Sequence, residues 1–167
     1  NINMDTMEIE TDIETFKADA ASVVPAQKSG AICDRAGLTD GDWCPIVPAT
    51  MQSKADENIH VLGDASVASA MPKSAFSANS QAKVAAMAIR GALTGSKVFE
   101  PRFANTCWSL IDANDGVKVG ANYKAGADKI EVVDKFISKT GEDDALRTAT
   151  YMESEAWYSA ISADMFS

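Results

Sequence analysis

Histidine is nearly missing from this sequence: His60 is the single one. The three cysteines, Cys33, Cys44 and Cys107, form no C-x-x-C and stand at no spacing that would build a zinc site with one histidine. An odd number leaves at least one thiol free, or paired outside the chain. No apolar run nears the roughly 18 residues that a bilayer-spanning helix needs. No basic segment runs into an apolar one as a secretory leader would. The pattern G-x-G-x-x-G occurs nowhere, which removes the usual pyrophosphate cradle of a dinucleotide site. Cations are scarce too, 15 Lys and Arg against 24 Asp and Glu, a formal charge of −9. Such a surface repels phosphate backbones, which argues against nucleic acid and suits a basic or weakly charged protein partner.

What is present is ordinary for a folded chain: 167 residues, 46% hydrophobic and 23% charged, enough for one domain or two small ones. Near the start, Met7, Ile9 and Ile13 alternate with acidic residues as in an exposed strand, and Phe16 and Ala18 continue on a second. Ala20 to Val24 reads as a short apolar strand ending at Pro25, and Gln27 to Ala36 as a helix stopped by Gly37. Two prolines keep Pro45 to Met51 extended. Asn58 to Asp64 reads as a buried strand, and Pro72 precedes an alanine-rich helix over about Ser74 to Leu93, ended by Gly95. Beyond it, Cys107–Ile111, Val117–Tyr123 and Lys129–Ile137 read as antiparallel strands joined at Asn114-Asp-Gly and Ala125-Gly-Ala-Asp. Thr140-Gly-Glu-Asp resembles a capping box, and Leu146, Ala149, Met152, Ala156, Trp157, Ala160 and Ile161 recur at helical spacing. The expectation is an α+β fold ending in a small antiparallel sheet with an amphipathic helix on it.

The most informative segment is Asn58 to Ala82, N-I-H-V-L-G-D-A-S-V-A-S-A-M-P-K-S-A-F-S-A-N-S-Q-A. Glycine at the end of an apolar stretch lets backbone pass close to a bound group. An aspartate beside it accepts hydrogen bonds from sugar-like hydroxyls. A following helix N-terminus offers free N–H groups and partial positive charge, suited to an electron-rich ring. With M-P-K-S and N-S-Q-A-K-V-A-A behind it, the stretch resembles the second FAD-contacting segment of flavoproteins with two dinucleotide-binding domains. It is most similar to the flavoprotein subunit of flavocytochrome c sulfide dehydrogenase. T-F-K-A-D, V-V-P-A-Q, A-G-L-T-D-G-D-W-C-P, N-T-C-W-S-L, F-I-S-K-T-G-E-D and W-Y-S-A-I-S-A-D-M-F extend that resemblance along nearly the whole chain.

The resemblance implies a C-terminal fragment of such an enzyme. Residues 1–100 would be the remnant of the NAD-type and FAD-binding domains, and residues 101–167 a domain covering the flavin near a c-type cytochrome subunit. It implies that Asp64 contacts the flavin ribityl chain with Gly63 at the close approach. Met71, Pro72, Lys73 and Ser74 would lie at the pyrimidine side. Cys44 would be one of a redox cysteine pair that takes up sulfide sulfur as a persulfide, in a periplasmic enzyme, and Trp108 would line the site or pack in the strand core. The partner cysteine and the G-x-G-x-x-G cradle are not in this sequence, so the chain alone should neither hold FAD tightly nor turn over sulfide. An exposed apolar helix face would make it self-associate. No metal ligand set is expected. The bland reading of Cys44 is a small buried hydrophobe; Cys33 and Cys107 read as packing residues, His60 as a satisfied core or edge histidine. Trp43 would shield the Cys44 thiol. Rival readings are a sulfide:quinone reductase, a type II NADH dehydrogenase, or a non-enzymatic interaction module. Glu142, Asp143 and Asp144 at the start of the last helix disfavour a membrane-seeking quinone enzyme.

Overall fold

A computed structural model of the chain describes residues 1–166. Its C-terminal half is built on β4 (Arg102–Asp112), β5 (Asp115–Ala125) and β6 (Ile130–Ile137), an antiparallel sheet in the order β4-β5-β6. The first hairpin turns on Ala113 and Asn114, with Asn114 at φ 59, a conformation that asparagine tolerates better than most residues. The turn therefore sits one residue earlier than Asn114-Asp-Gly suggested, because Asp115 and Gly116 already belong to β5.

The two faces of the sheet differ. Helix α3 (Asp144–Phe166) crosses one face. There Lys118 pairs with Glu153 at 2.5 Å, and Trp108 stands 5.7 Å from Trp157, ring centre to ring centre. Gly116 permits the close crossing, since a Cβ there would stand 2.9 Å from the Tyr151 backbone nitrogen. Asp143 caps α3 by accepting the Leu146 N–H at 2.8 Å. The capping box read from Thr140 is thus displaced by three residues. Asp143 itself ends the preceding turn, while the Glu142 carboxylate turns back to the Lys139 N–H at 2.8 Å.

The first turn of α2 (Ala75–Thr94) packs at the edge of the other face. Ser74 caps it, its Oγ accepting the Ser77 N–H at 3.2 Å, and Gly95 ends it at φ 69. Ser77, Gln81, Val84 and Ala85 are its buried stripe. Asn105 of β4 accepts from Ser74 Oγ at 2.5 Å and Ser77 Oγ at 3.1 Å, and Ser80 Oγ accepts the Ala104 N–H at 3.0 Å. These polar contacts fasten the start of α2 to the sheet, beside the packing of Phe76 on Trp108.

The N-terminal half has little regular structure. Strands β1 (Ile2–Asn3), β2 (Glu8–Glu10) and β3 (Thr15–Lys17) form a small antiparallel sheet whose side chains are mostly exposed. Ala20 to Val24 is not a strand: it has no neighbouring chain to pair with and stays exposed. Helix α1 is only Ala31–Arg35, shorter than Gln27–Ala36, with Gly37 ending it at φ 68. Asn58 to Asp64 is also no regular strand. Its backbone is extended at Leu62, but only His60 forms a bridge, to Gln52, and a ladder needs consecutive partners.

Replacing Gly116 by alanine should push α3 off the sheet and cost about 2–3 kcal/mol. Urea unfolding followed by tryptophan fluorescence would measure it, and an unshifted midpoint would contradict the close-crossing account.

Candidate functional site

Two segments of the irregular half are pinned side by side. The Cys44 N–H donates to the Ala65 carbonyl at 2.9 Å, and the Val67 N–H donates to the Cys44 carbonyl at 2.8 Å. Trp43-Cys44 therefore lies along the Gly63–Ala65 3₁₀ turn. Gly63 sits at φ 66, where any other residue would be strained, and its N–H donates to Gln81 Oε1 at 2.7 Å. The Gln81 amide also donates to Met71 Sδ at 3.6 Å. One side chain of α2, 1% exposed, thus holds both the Gly-Asp turn and the M-P-K-S loop.

Around this frame the expected residues fall into groups. Gly63, Pro72, Lys73 and the buried Met71 line one small pocket with Trp43 and Gln81. Asp64 lines a second, of about 370 Å³, with Trp43, Ser29 and Gly30. Asp64 is exposed, and among the described residues no side-chain hydrogen bond engages its carboxylate. Lys73 reaches back to donate to the Asp64 and Ser66 carbonyls, and its ammonium stands 3.6 Å over the Trp43 ring. Desolvation pushes its pKa down, while the charges of Asp64 and Cys44 oppose that shift. Ser74 is engaged in capping α2 and holding Asn105.

Trp108 lies apart from these pockets. It joins Phe76 and Trp157, whose rings stack at 5.4 Å and 13°, and its Nε1 is buried without an acceptor. Cys107, next to it, faces the opposite side of the sheet. There it lines an apolar cavity of about 940 Å³ with Pro72, Tyr123 and Phe136, among others. Lys135 and Lys139 also line it. His60 is satisfied, Nδ1 lying 2.9 Å from the Thr50 carbonyl.

Cys44 is fully buried. Burial first, then a hydrogen-bonding interaction with Cys33 and the charges of Cys33 and Asp34, push its thiol up to about 11, against the downward pull of Lys73. In this state it is a protonated thiol and not a nucleophile. Two participants escape sequence reasoning. Ser29 is 5% exposed, with Oγ unpartnered, at the wall of the Asp64 pocket. Cys33 is buried in the same core cluster as Cys44, and Gln81 carries the frame. Gln81 sits inside the quoted N-S-Q-A, but nothing in a lone glutamine announces an intramolecular role.

The fit to a flavin can be judged on these groups. Ser29, whose hydroxyl is orphaned, and Asp64, whose carboxylate is unengaged, line one pocket, which suits a hydroxyl-bearing ligand such as a ribityl chain. Against known families, residues 99–166 match the one described as flavocytochrome c sulphide dehydrogenase, flavin-binding. The match spans the sheet β4-β5-β6 and α3, and the resemblance read from the sequence holds there.

Two outcomes are expected. Cys44 alkylation should be very slow at neutral pH and rise about tenfold per pH unit up to about 11, because only the thiolate reacts. Mass mapping of iodoacetamide adducts would read it, and fast labelling at pH 7 would contradict the buried thiol. Gln81→Ala should cost about 2–4 kcal/mol in urea unfolding, through the orphaned Gly63 N–H and the void left behind.

Proposed function

With residues 99–166 of the flavin-binding type of flavocytochrome c sulphide dehydrogenase, we propose that this chain supplies the C-terminal part of a periplasmic FAD-dependent sulfide dehydrogenase. Its electron acceptor is a c-type cytochrome. The remaining parts of the enzyme are two dinucleotide-binding domains, of which residues 1–100 carry the last elements, while residues 101–167 form the flavin-covering unit. The observation that carries this reading is the pinning of Cys44 by backbone bonds to Ala65 and Val67, the residues that follow Asp64, which lines the pocket that suits a ribityl chain.

When bound, FAD supplies acceptance of an electron pair and its release one electron at a time. The chain's own residues do the rest. Asp64 accepts from ribityl hydroxyls, and Ser29 offers its unused hydroxyl to the same ligand. Gly63 keeps the turn free of a side chain. Pro72 and Lys73 bound the pyrimidine side, where the Lys73 ammonium favours negative charge. Cys44 enters as one half of a disulfide with a second cysteine of the enzyme: sulfide attacks the Cys44 sulfur, the S–S bond breaks, Cys44 keeps the sulfur as a persulfide and the second cysteine leaves as a thiolate. The Lys73 charge favours negative sulfur at Cys44, and desolvation opposes it. Trp43, under Lys73, keeps water from that side. The cytochrome docks on the face of the sheet that α3 leaves open, where Lys135 and Lys139 flank the apolar cavity. This chain by itself binds FAD weakly and self-associates through exposed apolar residues such as Leu93, Val133 and Ile137.

In the full-length enzyme, Cys44→Ser should abolish sulfide-dependent bleaching of the oxidised-flavin absorbance while FAD stays bound. Asp64→Ala should weaken FAD retention about tenfold. Undiminished sulfide turnover in the serine variant would remove Cys44 from the chemistry, and unchanged flavin affinity in the alanine variant would remove Asp64 from the cofactor site.

A further inference from the structure

The face of the β4-β5-β6 sheet that α3 leaves open is hollow, and the register explains the hollow. Val119 pairs with Ile137, Ala121 with Lys135 and Tyr123 with Val132. Ala121, with a single methyl, stands between the larger Val119 and Tyr123 on one face of β5. The pairing skips Val133, and this bulge brings Val132 and Lys135, three residues apart, to the same cavity. All six line the space of about 940 Å³. Single-ligand pockets occupy roughly 300–1,000 Å³, so the occupant is a molecule with a sizeable apolar body and not a small polar metabolite. The walls are chiefly aliphatic, which suits an alkyl chain better than a stacked ring.

The polar groups are few and of one character. Lys135 and Lys139 line the cavity and no carboxylate does, in a chain with 24 acidic and 15 basic residues. Among the described residues neither ammonium belongs to an ion pair. Tyr123 is 5% exposed, and its hydroxyl has no hydrogen-bond partner among the described residues. Burial, then the charge of Cys107, raises the pKa of this phenol, so it stays protonated and able to donate. A buried hydroxyl without a partner carries a desolvation cost that an acceptor on a ligand removes. No arginine fork lines the cavity, so a monoanion fits it better than a phosphate.

We propose that this cavity binds an aliphatic monocarboxylate. The alkyl chain lies over Ala121 among Val119, Val132 and Ile137. The carboxylate accepts from the Tyr123 hydroxyl and pairs with Lys135, its diagonal neighbour across the strands, while Lys139 adds positive charge. This goes beyond the sulfide reading and needs neither flavin nor sulfide. Both lysines also flank the face assigned to the cytochrome, so carboxylate and cytochrome exclude each other there.

The test is isothermal titration calorimetry of the purified chain with decanoate, kept below its micelle-forming concentration, and with 1-decanol as the uncharged counterpart. Saturable binding of one decanoate per chain is expected, with a negative heat capacity change. Decanol should bind at least about tenfold more weakly. Lys135→Glu, at an exposed position, should weaken decanoate at least about tenfold while leaving the melting temperature unchanged. Val119→Trp, which fills the cavity from a side chain already 48% exposed, should weaken it by a similar factor. The inference is overturned if the parent chain shows no saturable binding, or if decanol binds as tightly as decanoate. It is equally overturned if a folded Lys135→Glu chain binds decanoate as the parent does, which would put the ligand elsewhere on the apolar surface. Neither flavin nor sulfide enters the assay, so its failure is separate from failure of the sulfide dehydrogenase reading.

Discussion

The candidate site depends on one buried amide. Gln81, on the inner stripe of α2, bonds the Gly63 N–H with its oxygen and Met71 Sδ with its nitrogen. Neither segment has a strand ladder to hold it, so without this side chain the Gly-Asp turn and the M-P-K-S loop would have no common reference. The amide in turn is positioned by α2, and α2 by the hydroxyls of Ser74 and Ser77 on Asn105. Order passes from the sheet through Asn105 to the helix, and from the helix through Gln81 to the loops. Side-chain hydrogen bonds here perform the task that backbone ladders perform in a regular sheet.

The same chain of contacts connects the part of the molecule with a family match to the part that holds the thiol. Residues 99–166 carry the match, while Cys44, Gly63 and Asp64 lie before it. Asn105 falls within the matched region and Gln81 outside it. Cys44 is tied to the frame by the backbone bonds of residues 65 and 67. These bonds fix the backbone of Cys44 and do not involve its thiol. Its reactivity is therefore governed by hydration and by the neighbouring charges, not by movement of its own backbone.

Much of the fold could be read from the sequence because it rests on local rules. Ser74 and Gly95 mark the ends of α2, and alternation marks β4 to β6. The errors lie where pairing decides the outcome. Ala20–Val24 and Asn58–Asp64 have strand-like composition but no consecutive partner, and composition does not reveal a partner's position. The site was legible where a motif couples glycine conformation to a polar neighbour, as at Gly63-Asp64. Cys33, read as a packing residue, lies in the hydrophobic core. Ser29 escaped because an unpartnered hydroxyl is a property of its surroundings, not of serine.

The unequal faces of the β4-β5-β6 sheet bear on the calorimetry of the chain. One face lies under α3, whereas the other opens on a large apolar cavity, so much nonpolar surface is already hydrated in the folded state. The heat capacity increment of unfolding arises from nonpolar surface that becomes newly wet. Here that increment is smaller per residue than in a domain covered on both faces. The stability curve is correspondingly shallow against temperature, with a broad maximum and weak curvature. Covering the open face would sharpen the curve even if the melting point were unchanged.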